Sequence, residues 1–403
     1  MNIVFFSHPV FLGSISTQRY AKWLVDGMRE RGHQVQLWIP EPQCFNIPGP
    51  ANFKKWMGYI DQYILFPRQV KKLIKKQPKD TLYVLTDHSL GIWAPLIRDY
   101  NHIVHCHDFL AQFSAMGLIP ENRNSWSGRK YQEMIRKGFL SAKNFISISE
   151  KTRDDLHILL GHRPAVSEMV YNGLVQSCKP SESPAEALSS LAAETGIELK
   201  NGYLLHVGGN QWNKNRKGVI EIYSKWRVKF TNQKPLLMIG PEPDDVIKKA
   251  HASSAYRDDI HFLVNKADSF VMLAYQAASA FLFPSIAEGF GWPIAEAMSS
   301  GTPVLTTDEA PMTEVAGGAA LFIDRRPSDE RKAEAWATDA AKVLEKLLSY
   351  SPEERSGLIA KGLKNVKRFD SNITIEKIEK IYLAAAGNAA KHVSLNLNSD
   401  VSA

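Results

Sequence analysis

The chain has 403 residues, 44% hydrophobic and 23% charged, an ordinary balance for a soluble globular enzyme and enough length for two or three domains. It contains no run of about 18 apolar residues, and the apolar stretch after Met1 is too short for a secretory signal, so neither a membrane-spanning helix nor export is expected and cytoplasmic placement is. Three scattered cysteines (Cys44, Cys106 and Cys178) argue against a disulfide framework or a structural zinc, and the formal charge of +7 is concentrated: seven lysines, Arg68 and one acid, Asp61, lie between Lys54 and Lys79, which argues against a nucleic-acid partner.

Ile3–Ser7 reads as a short buried strand. The loop Leu12-Gly13-Ser14-Ile15-Ser16 follows, where glycine and serine can bring amides near a phosphate or an acceptor, although many first loops of α/β domains look the same. From Ser16 to Arg31 a helical period puts Tyr20, Leu24, Val25 and Met28 on one face, with Gly32 as the stop. Val35–Ile39 is the next strand. Across 54–79, Trp56, Tyr59, Ile60, Tyr63, Phe66, Val70, Leu73 and Ile74 recur every three or four residues with lysines between them, and Pro67 kinks the stretch or opens a second helix. Such a basic, aromatic, amphipathic pattern fits a membrane surface and fits equally a core-packed helix with a solvated lysine face. Thr81–Thr86, Ile103–Cys106 and Asn144–Ile148 read as further buried strands. The middle one carries Val104-His105-Cys106-His107-Asp108. Its two histidines share a face, and His107 stands at the carboxyl end, where parallel sheets bind ligands, whereas His105 reads as a core residue. A zinc site built on this pair lacks an obvious third ligand.

Cys178–Pro184 (C-K-P-S-E-S-P) reads as a linker or loop, after which the alternation restarts. Strands are expected at Tyr203–Val207, Leu236–Ile239, His261–Val264, Ala280–Phe283, Val304–Thr306 and Ala320–Ile323, most of them separated by helical patterns. Alternation of this kind implies parallel sheets covered on both faces. After the first of these strands comes Gly208-Gly209-Asn210-Gln-Trp-Asn-Lys214-Asn-Arg216-Lys217-Gly218, a flexible backbone beside clustered cations that suits a diphosphate, or a solvated basic loop. After Phe283 comes Pro-Ser-Ile-Ala-Glu288-Gly289-Phe290-Gly291-Trp292-Pro293-Ile-Ala-Glu296. Glycines here allow close backbone approach, and a helix opening near Pro293 favours an anion at its start. Glu288 and Glu296 can then face one ligand from different heights and accept from vicinal hydroxyls, although spacing alone does not separate this from a capping Glu and a helix-surface Glu.

This last stretch resembles the E-x7-E motif of the GT4 family of retaining glycosyltransferases. The resemblance extends through Gly301-Thr-Pro-Val-Leu and Glu314-Val-Ala-Gly-Gly-Ala, and it includes the H-x-H-[D/E] pattern at His105–Asp108, the landmarks Ser147-Ile-Ser149-Glu150 and Tyr171-Asn172-Gly173, and Arg216-Lys217-Gly218. It implies an α/β chain of GT-B architecture, two Rossmann-like domains facing across a cleft: an acceptor-binding domain over 1–178, a nucleotide-sugar domain over 179–372, a helix over 373–386 packing back on the first domain, and a disordered tail over 387–403. By the same resemblance, His107 reaches the donor sugar and Glu288 holds the transferred sugar. Glu296 binds the ribose and Lys217 neutralises the leaving diphosphate, while Gly13, Gly209, Asn210, Lys214, Arg216, Val264, Phe290, Gly291 and Trp292 complete the donor site. Asn210 stands where the family usually has an Arg, and Lys214 is the expected compensation. The implied activity is metal-independent transfer, with retention, of a hexose from a UDP- or GDP-sugar to a glycan or lipid-linked hydroxyl acceptor in polysaccharide or glycolipid assembly. Membrane contact would run through 54–79. A sugar-nucleotide epimerase and a silent nucleotide-sugar binder are the alternatives.

Overall fold

The computed structural model of the protein describes residues 1–13, 15–174, 178–230 and 233–387. Ser14 of the first loop and the expected tail beyond Gly387 lie outside the described residues. Among the described residues, twelve strands form two parallel six-stranded sheets. The first contains β1 (Asn2–Phe6), β2 (Gln34–Trp38), β3 (Leu82–Leu85), β4 (His102–Cys106), β5 (Asn144–Ser147) and β6 (Val166–Met169), in the order β2-β1-β3-β4-β5-β6. The second contains β7 (Leu204–Val207), β8 (Leu236–Gly240), β9 (Ile260–Val264), β10 (Ala280–Phe283), β11 (Val304–Thr307) and β12 (Leu321–Ile323), in the order β12-β11-β10-β7-β8-β9.

The short apolar runs follow from burial on both faces. In β1, Val4 and Phe6 enter one core with Tyr83, Trp93 and Val104, while Ile3 and Phe5 enter the other with Leu24, Leu82 and Val84. Strand β10 divides likewise: Phe281 and Phe283 pack on one side, and Leu282 with Leu204 and Leu236 on the other. Strand β6 has no counterpart among the expected strands. Its sequence, Val-Ser-Glu-Met, is half-buried throughout and pairs only with β5 at the sheet edge, so no apolar run marks it.

The strand order decides where a ligand can sit. Each sheet reverses its order once, between β1 and β3 and between β7 and β10. At such a switch point neighbouring loops diverge and leave a crevice beyond the carboxyl ends. The loops after β1 and β3 therefore lie side by side, as do those after β7 and β10. The final helix, Ser371–Ala385, returns to the first sheet, where Ile375, Ile378, Ile381 and Tyr382 pack with Ile3, Phe5 and Leu24. Just before it, Leu174 N–H donates to the Phe369 carbonyl at 2.8 Å. No helix among the described residues is long and apolar enough to cross a membrane.

The basic segment forms the helix Ala51–Ile60, a π-helical turn at Asp61–Leu65 and the helix Phe66–Ile74, with Pro67 in the first turn of the second helix. Buried Asp61 anchors it by accepting from Cys44 N–H and Phe45 N–H, both at 2.8 Å. Phe66, Val70 and Ile74 belong to the core, so the second helix is core-packed with a solvated lysine face. The first helix differs: Trp56 is 66% exposed and Phe53 and Ile64 are also exposed.

Candidate active site

The carboxyl ends of both sheets border one cleft of about 390 Å³. Its C-terminal wall is held by stitching between the β7 and β10 loops. Asn213 Nδ2 donates to the Ala287 carbonyl at 2.9 Å, Ile286 N–H donates to the Asn213 carbonyl at 2.7 Å, and Asn215 Nδ2 donates to the Pro284 carbonyl at 2.8 Å. Asn215 takes a left-handed conformation (φ 52°) and caps the helix Arg216–Lys229 by accepting from Gly218 N–H. This framework places Lys214 Nζ 2.8 and 2.9 Å from the two oxygens of Glu288.

Beyond Glu288 the chain turns at Gly291, whose φ of 101° suits glycine, into the helix Trp292–Ser299 with Pro293 in its first turn. Glu296 projects from this helix and accepts from the Tyr275 hydroxyl at 3.2 Å. Burial pushes the Glu296 carboxyl up to about 7; the Tyr275 hydroxyl opposes the shift, Asp268 reinforces it, and Lys214 and Arg19 oppose it.

The N-terminal wall comes from the ends of β3 and β4 and the first helix. His107 Nε2 lies 2.9 Å from the Thr86 carbonyl, so that nitrogen carries a proton and donates. Tyr20 packs edge-on against the His107 ring at 4.4 Å between centroids. His105 is a core residue held between the hydroxyls of Tyr20 at 2.9 Å and Tyr382 at 2.7 Å, and burial lowers it to about 3. Asp87 is buried beside His8 and His88. Burial alone would raise its carboxyl, but the nearby imidazoles of His8, His88 and His107 outweigh that and hold it well below the usual carboxylate range.

The two walls touch. A Cβ on Gly289 would run into the His107 carbonyl oxygen. Ser149 and Thr152 hydroxyls donate to the Gly289 carbonyl at 2.7 and 3.2 Å. The Glu314 carboxylate accepts from the Glu150 and Lys151 amides at 2.6 and 3.4 Å, capping a helix of the opposite domain. Arg325 pairs with Glu121 at 2.8 Å.

Of the residues singled out in the sequence, His107, Lys214, Glu288, Phe290, Gly291, Trp292 and Glu296 line this cleft together. Lys217 does not. It lies in the first turn of the helix Arg216–Lys229, and its ammonium is taken by Glu330 at 2.7 Å and Glu221 at 3.6 Å. The cation at the cleft is Lys214, three residues earlier. Asn210 and Arg216 bond to each other and, with Lys217, line a neighbouring hollow of about 500 Å³. Gly13, exposed at φ 72°, Gly209 and Val264, at the end of β9, line neither space. Tyr20, Asp87 and Asp108 line the cleft without having been singled out for that role, whereas Ile148 and Asn172 line it from the two landmarks expected to shape it. Among the described residues, no group of three or more His, Cys, Asp and Glu side chains is placed to hold a metal ion.

The model of the family described as Glycosyl transferases group 1 matches residues 190–362, and that of Glycosyltransferase Family 4 matches residues 17–175. O-antigen chain mannosyltransferase B of Escherichia coli is 29% identical over 302 residues, which is 71% of this chain and 75% of that protein. O-antigen chain mannosyltransferase RfbU of Salmonella typhimurium is 30% identical over 134 residues, 33% of this chain and 36% of that protein. Among solved structures, WaaG, a glycosyltransferase involved in lipopolysaccharide biosynthesis, superposes with a TM-score of 0.68 at 17% identity, covering 94% of this chain and 99% of that one. Anabaena HepE in complex with UDP and glucose superposes with a TM-score of 0.68 at 16% identity, covering 95% and 100%. At these identities the structural likeness is one of fold.

Proposed function

Since the chain belongs to the group 1, GT4-type glycosyltransferases and has their GT-B fold, we propose that it transfers mannose, with retention, from a nucleotide diphosphate-sugar to a hydroxyl of a growing O-antigen-type polysaccharide. Mannose and O-antigen come from the names of the relatives; the chemistry comes from the cleft. The observation that carries the reading is the Lys214–Glu288 ion pair beside Glu296, facing His107 across the two domains.

In this reading the donor's diphosphate draws the Lys214 ammonium to itself, assisted by the Phe290 and Gly291 amides and the start of the Trp292–Ser299 helix. Glu288, released from Lys214, accepts from hydroxyls of the transferred sugar, and Glu296 from the ribose. His107 approaches that sugar from the other wall. No side chain need act as nucleophile: the leaving phosphate takes the acceptor proton as the new glycosidic bond forms, and the protein contributes positioning and stabilisation of the developing phosphate charge. The contacts that close the cleft exclude water, which would otherwise hydrolyse the donor. The exposed Trp56 and the lysine face beside it would bring the enzyme to an anionic membrane surface, where a lipid-linked acceptor is presented.

The test is incubation of the pure protein, without added metal, with UDP-, GDP- and ADP-sugars. Slow release of one nucleoside diphosphate, lost in Glu288→Ala, is the expected result and names the donor. Conversion of the sugar without diphosphate release would instead mean an epimerase, and refutes the proposal.

A further inference from the structure

Asp87 has no part in the donor reading, yet it lines the same cleft. It follows β3 directly and stands on the N-terminal wall, opposite Lys214 and Glu288. One of its oxygens has a structural duty: Oδ1 accepts from Ser89 N–H at 2.7 Å and caps the short helix His88–Leu96. The other does not. Oδ2 has His8 Nε2 nearest at 3.9 Å, beyond hydrogen-bond reach, and that imidazole is already engaged by the Ser89 hydroxyl at 2.9 Å. Asp87 itself lines the cleft, where Oδ2 can meet a ligand.

A cap does not require this carboxylate, because Asn or Ser caps as well. With its side chain only 9% exposed and three imidazoles favouring its ionised form, Asp87 keeps one anionic oxygen that the cap does not use. The donor's contacts in the proposed reading come from the opposite wall and from His107, which leaves the acceptor as the group entering beside β3. Asp108, another carboxylate, lines this wall too. Two carboxylates there repel a phosphate and attract hydroxyl donors.

We propose that Asp87 is an acceptor-binding residue: its Oδ2 accepts a hydrogen bond from a hydroxyl of the acceptor's terminal sugar, and the chemical class it admits is a neutral sugar ring rather than a sugar phosphate. The cap through Ser89 and the His8–Ser89 contact fix the carboxylate in place. Any phosphate of a lipid-linked acceptor then lies outside this part of the cleft. The inference rests on the transferase reading above.

The experiment compares wild type with Asp87→Asn and Asp87→Ser, both of which preserve the cap. Acceptors are octyl α-mannoside, its 6-phosphate and the lipid-linked fraction of bacterial membranes; donor affinity is measured separately by nucleotide-sugar titration. Expected are cooperative unfolding in both variants at a somewhat lower temperature, donor affinity within about twofold, and a fall of about thirtyfold in kcat/KM for the neutral acceptor, the loss that goes with one charge-assisted hydrogen bond. The preference for the neutral mannoside over its phosphate should shrink in both variants. Unchanged acceptor kinetics, or an equal loss of donor affinity, overturns the inference and leaves the transferase reading standing. A wild type that transfers to none of these acceptors and releases no nucleoside diphosphate overturns both.

Discussion

Replacing Glu296 by Gln should make the unliganded protein more stable above neutral pH while removing its grip on the donor. Burial raises the Glu296 carboxyl from 4.5 to about 7, outweighing the Tyr275 hydroxyl and Lys214. At about 1.4 kcal/mol per tenfold, the ionised side chain costs the folded state about 3 kcal/mol. The sign follows from the direction of the shift. Between pH 4.5 and 7 the folded state holds a proton that the unfolded state has released, so stability falls as pH rises through that window, and the full cost is present above 7. A glutamine of the same shape carries no such cost. Its thermal unfolding should therefore lie several degrees above wild type at pH 8 and converge with it near pH 4.5. Nucleotide-sugar titration should show donor binding lost in the variant at either pH. An unfolding difference that does not change between pH 5 and 8, or a variant less stable at pH 8, would refute the reasoning, because a carboxylate already satisfied in the empty site has nothing to gain from neutralisation.

Three further outcomes follow from the geometry. Lys214→Ala should lower kcat by about a hundredfold or more, as expected for a group that stabilises developing charge, whereas Lys217→Ala should stay within about threefold because its partners Glu330 and Glu221 form a peripheral ion pair; steady-state kinetics of the two variants side by side decide between them. Gly289→Ala must push the β10 loop off the His107 carbonyl and should cost about a hundredfold in kcat/KM with little loss of thermal stability, a pattern that separates misplacement from unfolding. Reversing Lys71, Lys72, Lys75 and Lys76 to Glu should abolish co-sedimentation with anionic liposomes, each lysine contributing about 1 kcal/mol near such a surface; unchanged co-sedimentation would remove the membrane from the proposal.

Eleven of the twelve strands were legible, the central ones as apolar runs of the kind that burial on both faces imposes. Strand β6 escaped because an edge strand with one neighbour needs no such run: Ser167 and Glu168 are half-buried and pair with Phe145 and Ile146 of β5. The basic segment shows a different limit. Periodicity predicted one apolar stripe from Trp56 to Ile74, and helical spacing is indeed kept, but it is Phe66, Val70 and Ile74 that are buried in the core, with Leu73 packed against it. A stripe gives the face of a helix without saying what covers it, so Trp56 and Val70 look alike in sequence and differ in exposure.

The site was legible where chemistry and backbone need coincide. Gly289 and Gly291 sit where a side chain would collide with His107 or where φ is positive, and the two glutamates flank them, so the motif records its own geometry. Lys214 and Lys217 lack that advantage. Both are cations in one loop, and choosing between them requires knowing where the helix starts. Asn215 decides it: as the cap it ends the loop, which leaves Lys214 on the cleft side and Lys217 in the first helical turn, facing Glu221 and Glu330. An Asn directly before a helical pattern is itself an N-cap signal, and applied to Asn215 it would have favoured Lys214. Asp87 was open to the same kind of argument. It directly follows a buried strand at the edge of the switch point, where a polar residue is either a cap or a ligand contact, and its two oxygens divide those roles.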